Sequence, residues 1–282
     1  MFLEINGQQI TGSIKCYECA SKGLQYRWDL TGLPRSLSDS AFMIDCDQSA
    51  GSASKVPCNG PCLTYIIQDP DNLTALFFVR GCQATLTQVQ STLNPQGFTN
   101  QIFCEYDSKF TRPNSLGQMV DTQVLAEFCS ADSCNNKRTT LPGPNTGDAS
   151  ACSGQLYNYT IGNDRLNCYE CSSNSWRCET GRCSKKYCMK STVQMQGRYS
   201  TRRWCSDVNP FGVNEFCQSH DITVNPSMYN TISAYTTQCY CKDRQYCNGA
   251  ISVKYTIFSI IIPIFVPIVQ ILSSIYSEKK LS

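Results

Sequence analysis

"KCYECA" at residues 15–20 and "NCYECS" at residues 167–172 repeat the tetrapeptide Cys-Tyr-Glu-Cys 152 residues apart. Four residues can recur by chance, so the meaning of the repeat rests on the cysteines that follow each copy. After the second copy they fall at 168, 171, 178, 183, 188, 205, 217, 239, 241 and 247. After the first they fall at 16, 19, 46, 58, 62, 82, 104, 129 and 134, which leaves Cys152 outside both runs.

Twenty cysteines in 282 residues approach the density of a disulfide scaffold. Cytosolic thiols stay reduced, so this usage points to an oxidising compartment. Zinc is the alternative, because Cys16/Cys19 and Cys168/Cys171 are both C-x-x-C pairs. His220 is the sole histidine, so such sites would be all-cysteine, and disulfides are the favoured reading. No leucine occurs between residues 168 and 248. A segment that poor in large aliphatic side chains needs cross-links to supplement its core.

A net charge of +2 suggests neither nucleic acid nor a polyanion as general partner. There is no Gly-rich phosphate loop, HExxH or GxSxG motif, and one histidine leaves little room for His-based acid–base chemistry. The expectation is a protein that is not an enzyme, with no cofactor, metal or catalytic residue. The opening MFLEINGQQITGSI lacks the basic start and apolar run of a secretory signal. The cysteines nevertheless demand export, so a leader missing from this start is expected.

The second run reads as strands. "CMKSTVQ" (188–194) and "RYSTRRWC" (198–205) flank "MQG", a hairpin signal with glycine at the turn. "TISAYTTQCYC" (231–241) is β-branched and aromatic. In the first run, "LTYIIQ" and "LTALFFVRG" flank "DPDN", again a hairpin. "SLGQMVDTQVLAEF" (115–128) places Leu116, Met119, Val120, Val124 and Phe128 near one helical face, which predicts a short helix with a core-facing stripe.

The second run opens with C-x-x-C and closes in "CYCKDRQYCN", ending at Cys247-Asn248; the first closes in "CSADSCN". This order resembles the lymphocyte-antigen-six/urokinase-receptor (LU) superfamily, whose domain is the three-finger fold. The separation of Cys239 and Cys241 by Tyr240 departs from the family's adjacent pair. The long first loop and "RGC" at Cys82 further resemble the nematode odour-response branch. The resemblance implies an all-β, disulfide-rich chain of two three-finger domains, and the spacing in residues 115–128 adds a short helix to the first. It implies the pairs Cys16–Cys62, Cys19–Cys46, Cys58–Cys82 and Cys129–Cys134 in the first domain. In the second it implies Cys168–Cys188, Cys171–Cys178, Cys183–Cys205, Cys217–Cys239 and Cys241–Cys247. The family partner of Cys104 is missing, so Cys104 and Cys152 are left over and expected to pair, with free thiols or a bridge between chains as the rival.

The expected organisation is an N-terminal segment (1–15), a first domain (16–136), a linker (137–167), a second domain (168–249) and an apolar tail (250–282). The linker contains the Pro/Gly/Thr/Ser-rich "TTLPGPNTGDASA". Asn72 and Asn158 begin glycosylation sequons. In the tail, 23 uncharged residues separate Lys254 from Glu278. Asn248-Gly249-Ala250 suits a lipid-anchor signal with Asn248 as the attachment residue, as in many members of the family. A retained transmembrane helix with the cytoplasmic ending "KKLS" is the alternative.

Residues 16–134 carry 7 Lys/Arg and 12 Asp/Glu, net −5; residues 168–248 carry 10 and 6, net +4. Beyond a solvated face, this asymmetry admits an acidic partner or docking of the first domain on the second. The functional expectation is a cell-surface, membrane-anchored protein that recognises a receptor, channel or adhesion partner through its fingers. The alternatives are a single-pass accessory protein of the early secretory pathway and, less favoured, a zinc-binding protein. Met195, Arg198, Tyr199, Arg202, Arg203 and Trp204 are the expected contact residues, being of the types enriched at interfaces. The position of Trp204 beside Cys205 also suits a core residue.

Overall fold

The structure, a computed structural model, describes residues 14–34, 37–48, 50–89, 102–116, 118–136, 165–195, 197–227 and 230–249. Residues 137–164 of the linker, with Cys152 and Asn158, the tail 250–282, and the pairing of Cys104 with Cys152 lie outside the described residues, and the last two residues of the linker, 166–167, already belong to the first strand of the second half.

The protein is all-β and disulfide-rich, with two sheets. The first is built from β1 (Ile14–Ser21), β2 (Phe42–Met43), β3 (Ser54–Cys58), β4 (Cys62–Gln68), β5 (Leu76–Cys82), β6 (Ile102–Pro113) and β7 (Met119–Cys129). Its order is β2-β1-β5-β4-β7-β6, with β3 on β1. The second comprises β8 (Leu166–Ser173), β9 (Gly181–Lys185), β10 (Tyr187–Met195), β11 (Arg198–Ser206), β12 (Glu215–Ser227) and β13 (Asn230–Cys241), in the order β12-β13-β10-β11-β8-β9. A short α-helix, α1 (Gln83–Thr87), follows β5, and the connections among the described residues contain further single turns of 3-10 helix.

Residues 115–128 are not a helix. Met119–Cys129 is strand β7, paired with both β4 and β6. The intervening Thr122 and Ala126 share the buried face with Val124 and Phe128, whereas Leu116 and Met119 are exposed. Spacings of four residues satisfy a strand as well as a helix, because a period of two also returns every fourth side chain to one face.

Disulfides join Cys16–Cys62, Cys19–Cys46, Cys58–Cys82 and Cys129–Cys134 in the first half. In the second they join Cys168–Cys188, Cys171–Cys178, Cys183–Cys205, Cys217–Cys239 and Cys241–Cys247. The sequence repeat extends to single hydrogen bonds. Ser133, at positive φ, donates its N–H to the Lys15 carbonyl; Tyr246, also at positive φ, donates to that of Asn167. The Asn135 side chain accepts from Tyr17 N–H and donates to its carbonyl, at 2.9 Å each. Asn248 does the same to Tyr169 at 3.0 Å. The two Cys-Asn endings are buried clasps that tie the last loop of each half to its first strand.

The two sheets share a core. Leu63, Tyr65, Val124, Phe110 and Phe128 of the first meet Met189, Trp204, Phe211, Phe216 and Tyr240 of the second half in one apolar cluster. The other face of the first sheet is also covered: Ile66, Phe78 and Leu125 pack with Cys19, Cys46 and Ala50. A strand buried on both faces reads as a continuous apolar run, which is why β4 is "CLTYIIQ" rather than alternating.

Candidate functional site

The β10–β11 hairpin holds all six expected contact residues, and its register divides them. Met195 pairs with Arg198 at the tip, and Gly197 takes the positive φ of the turn. Met195, Arg198 and Tyr199 are exposed. Towards the base the strand enters the shared core. Trp204 is buried there at 5% exposure. Arg203 is 1% exposed, with Nη1 donating to Glu179 at 2.7 Å. Neither is a contact residue for an outside partner: the first sheet covers Trp204, and Arg203 is spent on an internal ion pair. Arg202 is half-buried between the sheets, its Nη1 3.1 Å from Met119 Sδ.

A residue absent from the expected set completes the tip. Trp176 is 58% exposed, with the Arg177 guanidinium 4.3 Å over its ring. Trp176, Val193, Met195, Arg198 and Tyr199 line an open hollow of about 600 Å³. The signal for Trp176 was present in "CSSNSWRC". The Cys171–Cys178 bridge closes a loop too small to bury an indole, and its other residues are polar.

Several other polar and charged residues are tied into the fold. Lys185 and Lys186 face the first half, where Lys185 Nζ meets Asp107 at 2.5 Å and Lys186 Nζ pairs with Glu105. Glu105 also accepts from Tyr187 O–H at 2.8 Å and from Asn209 N–H at 2.6 Å. Burial, and then the Glu105 charge, push the Tyr187 phenol far above its usual range. Asn248, read as the attachment residue, is 3% exposed and donates to the Tyr169, Met189 and Trp204 carbonyls. Asn72 lies in the exposed β4–β5 turn, its side-chain oxygen accepting from the Thr74 N–H and hydroxyl. Both C-x-x-C pairs are consumed in disulfides. Cys241, Asp243 and Cys247 lie close together, but the two sulfurs are bonded to each other. Among the described residues no helix is long and apolar enough to cross a membrane.

Comparison of the chain with models of known families, with curated proteins and with solved structures finds no match.

Proposed function

We propose that this protein is a non-enzymatic extracellular recognition protein of the LU kind, membrane-anchored through the tail that follows Gly249, with the β10–β11 tip as its contact surface. The observation that carries the reading is the tip itself. Trp176, Met195 and Tyr199 stand exposed together, beside Arg177 and Arg198, at the end of a hairpin stapled by Cys188–Cys168 and Cys205–Cys183. Large side chains left in water on a rigid support are the usual anchors of an interface, and the flanking arginines favour an acidic partner surface. The glycan expected at Asn72 makes the matching turn of the first half a poor rival.

The test is binding of the purified ectodomain to cells of the source tissue. Trp176→Ala and Tyr199→Ala should each weaken binding about tenfold or more, and Arg198→Glu should slow association with a salt dependence. Each variant should keep the wild-type unfolding midpoint. Unchanged binding by the double aromatic variant would remove the tip as the contact surface. Release of the full chain from cells by phospholipase tests the lipid anchor separately.

A further inference from the structure

Between the two sheets, beyond the shared apolar core, lies a cleft of about 280 Å³. It brings together Arg112 of β6 and Arg202 of β11. Arg112 arrives there because of a bulge. The β6–β7 register slips by one residue between Asp107 and Phe110, so the parity of β6 flips. Glu105 and Asp107, then Phe110 and Arg112, all turn towards the second half. Without the extra residue, Arg112 would face away from the cleft.

The polar atoms of this cleft are unusually poor in partners. Arg112 Nε and Nη2, Trp204 Nε1, His220 Nδ1 and Thr236 Oγ1 are buried, and among the described residues none makes a well-formed hydrogen bond, although the Tyr65 hydroxyl lies beside the Arg112 guanidinium. Arg112, Trp204, His220 and Thr236 all line the same cleft. Native proteins leave few such groups, because a buried donor or acceptor without a partner keeps the full cost of its lost hydration. Among the described residues neither Arg112 nor Arg202 has a carboxylate within ion-pair distance. Asp29 lies exposed at the rim, and Asp121 is held by Thr111 at 2.9 Å. Burial, and then the charge of Arg112, push the Arg202 guanidinium down to about 10. A buried Arg112 and a half-buried Arg202 in the same cleft are a cost to the fold that an anion between them would offset. Apolar surface is at hand as well: Leu30, Met119, Val193 and the Trp204 ring line the same space. An apolar cavity of about 150 Å³ holds a benzene, so this cleft admits a headgroup on a body of about that size.

We infer that the cleft between the two sheets is a binding site for a small organic oxyanion, a carboxylate or phosphate carried on an apolar body. The guanidinium groups of Arg112 and Arg202 grip the headgroup in forked hydrogen bonds. The Trp204 indole N–H and the Thr236 hydroxyl complete its shell, and Val193 and Met119 receive the body. The site joins residues of both halves, so occupation ties the two sheets together. It is independent of the hairpin tip and stands whether or not the tip binds a protein.

The experiment titrates the full, oxidised chain with benzoate and with phenyl phosphate, following the unfolding midpoint and the heat of binding at constant ionic strength. Either anion should raise the midpoint and bind saturably at one site, and their ratio tells a carboxylate source from a phosphate one. Arg202→Gln and Arg112→Gln should each weaken binding about ten- to hundredfold. Arg202→Gln should also raise the midpoint of the ligand-free chain by relieving the like-charge contact, which shows that this variant folds. Arg244→Gln, an exposed change of the same charge, should leave binding as it was. No saturable binding of either anion at millimolar concentration would overturn the site. So would equal binding of uncharged benzamide, or equal binding by the Arg202→Gln chain.

Discussion

Asn135 and Asn248 show how much of this fold hangs on single amides. The Asn248 amide nitrogen donates to Tyr169 and Met189 carbonyls at 3.0 and 2.9 Å, while its oxygen accepts the Tyr169 N–H at 3.0 Å. An aspartate keeps the acceptor but turns the donor into a second acceptor against those carbonyls. Asn248→Asp should therefore be at least as damaging as Asn248→Ala, each costing about 2–4 kcal/mol by denaturant midpoint under non-reducing conditions. His220 gives a pH prediction. Its imidazole is half-buried, and burial holds its pKa below the ordinary value of 6.5, with Asp221 opposing. A depressed folded-state pKa means the unfolded chain binds the proton more readily. The corresponding stability is thus present above about pH 6.5 and lost as pH falls through the folded-state value. Unfolding followed between pH 7.5 and 5 should show this loss, and His220→Gln should remove that part of it.

At the scale of elements, the strands that could be read ahead were those whose chemistry is local. β10 and β11 declare themselves by β-branched and aromatic residues about a glycine turn, and β4 and β5 by apolar runs about Asp-Pro-Asp-Asn. β7 was misread because Val120, Val124 and Phe128 recur every fourth residue, a spacing both periods allow; the partners that decide it, Leu63 to Ile67 of β4, lie about sixty residues earlier. Trp204 suits a core position already in the sequence, beside Cys205, and the apolar residues of the other half complete the core around it; Arg203, on the opposite face of β11, is covered within its own half by Glu179 and Tyr169, which its sequence neighbours do not announce. The disulfide pairs were legible only through a family resemblance, since spacing leaves many connectivities open. Gly32 marks another junction that sequence does not display. It ends the turn of Trp28–Thr31 at φ +66°, and a Cβ there would lie 2.6 Å from the Gln238 side-chain oxygen of β13. Gly32→Ala should cost about 1–2 kcal/mol through backbone strain alone. It should also shift the amide resonances of Gln238 and Tyr240 across the interface, whereas strain confined to the turn would leave them in place.

For the whole molecule, the near-neutral total conceals two halves of opposite charge whose acidic and basic residues meet. Glu105 and Asp107, 3% and 2% exposed, are buried carboxylates of the net-negative half; Lys185 and Lys186 come from the net-positive half. Hydrogen bonds from Tyr187, Asn209 and Asp207 fix the carboxylates in place, so the pairs set the register in which the apolar faces meet. Disulfides do not do this among the described residues, since each of the nine closes within one half. The halves are thus coupled by a shared core and buried charge, and they should unfold together. Calorimetry of the oxidised wild-type chain should give one transition, with calorimetric and van't Hoff enthalpies equal. Glu105→Lys places a cation against Lys186 in a buried site and leaves Asn209 N–H and Tyr187 O–H without their acceptor. Breaking a buried pair in this way costs about 3–5 kcal/mol. That loss falls on the contact between halves rather than within either, so the transition should split in two. Glu105→Lys combined with Lys186→Glu restores opposite charges and should bring the two transitions part of the way back together. Two transitions in the wild type, or a single unsplit one in Glu105→Lys at the wild-type midpoint, would show that the buried pairs do not couple the halves.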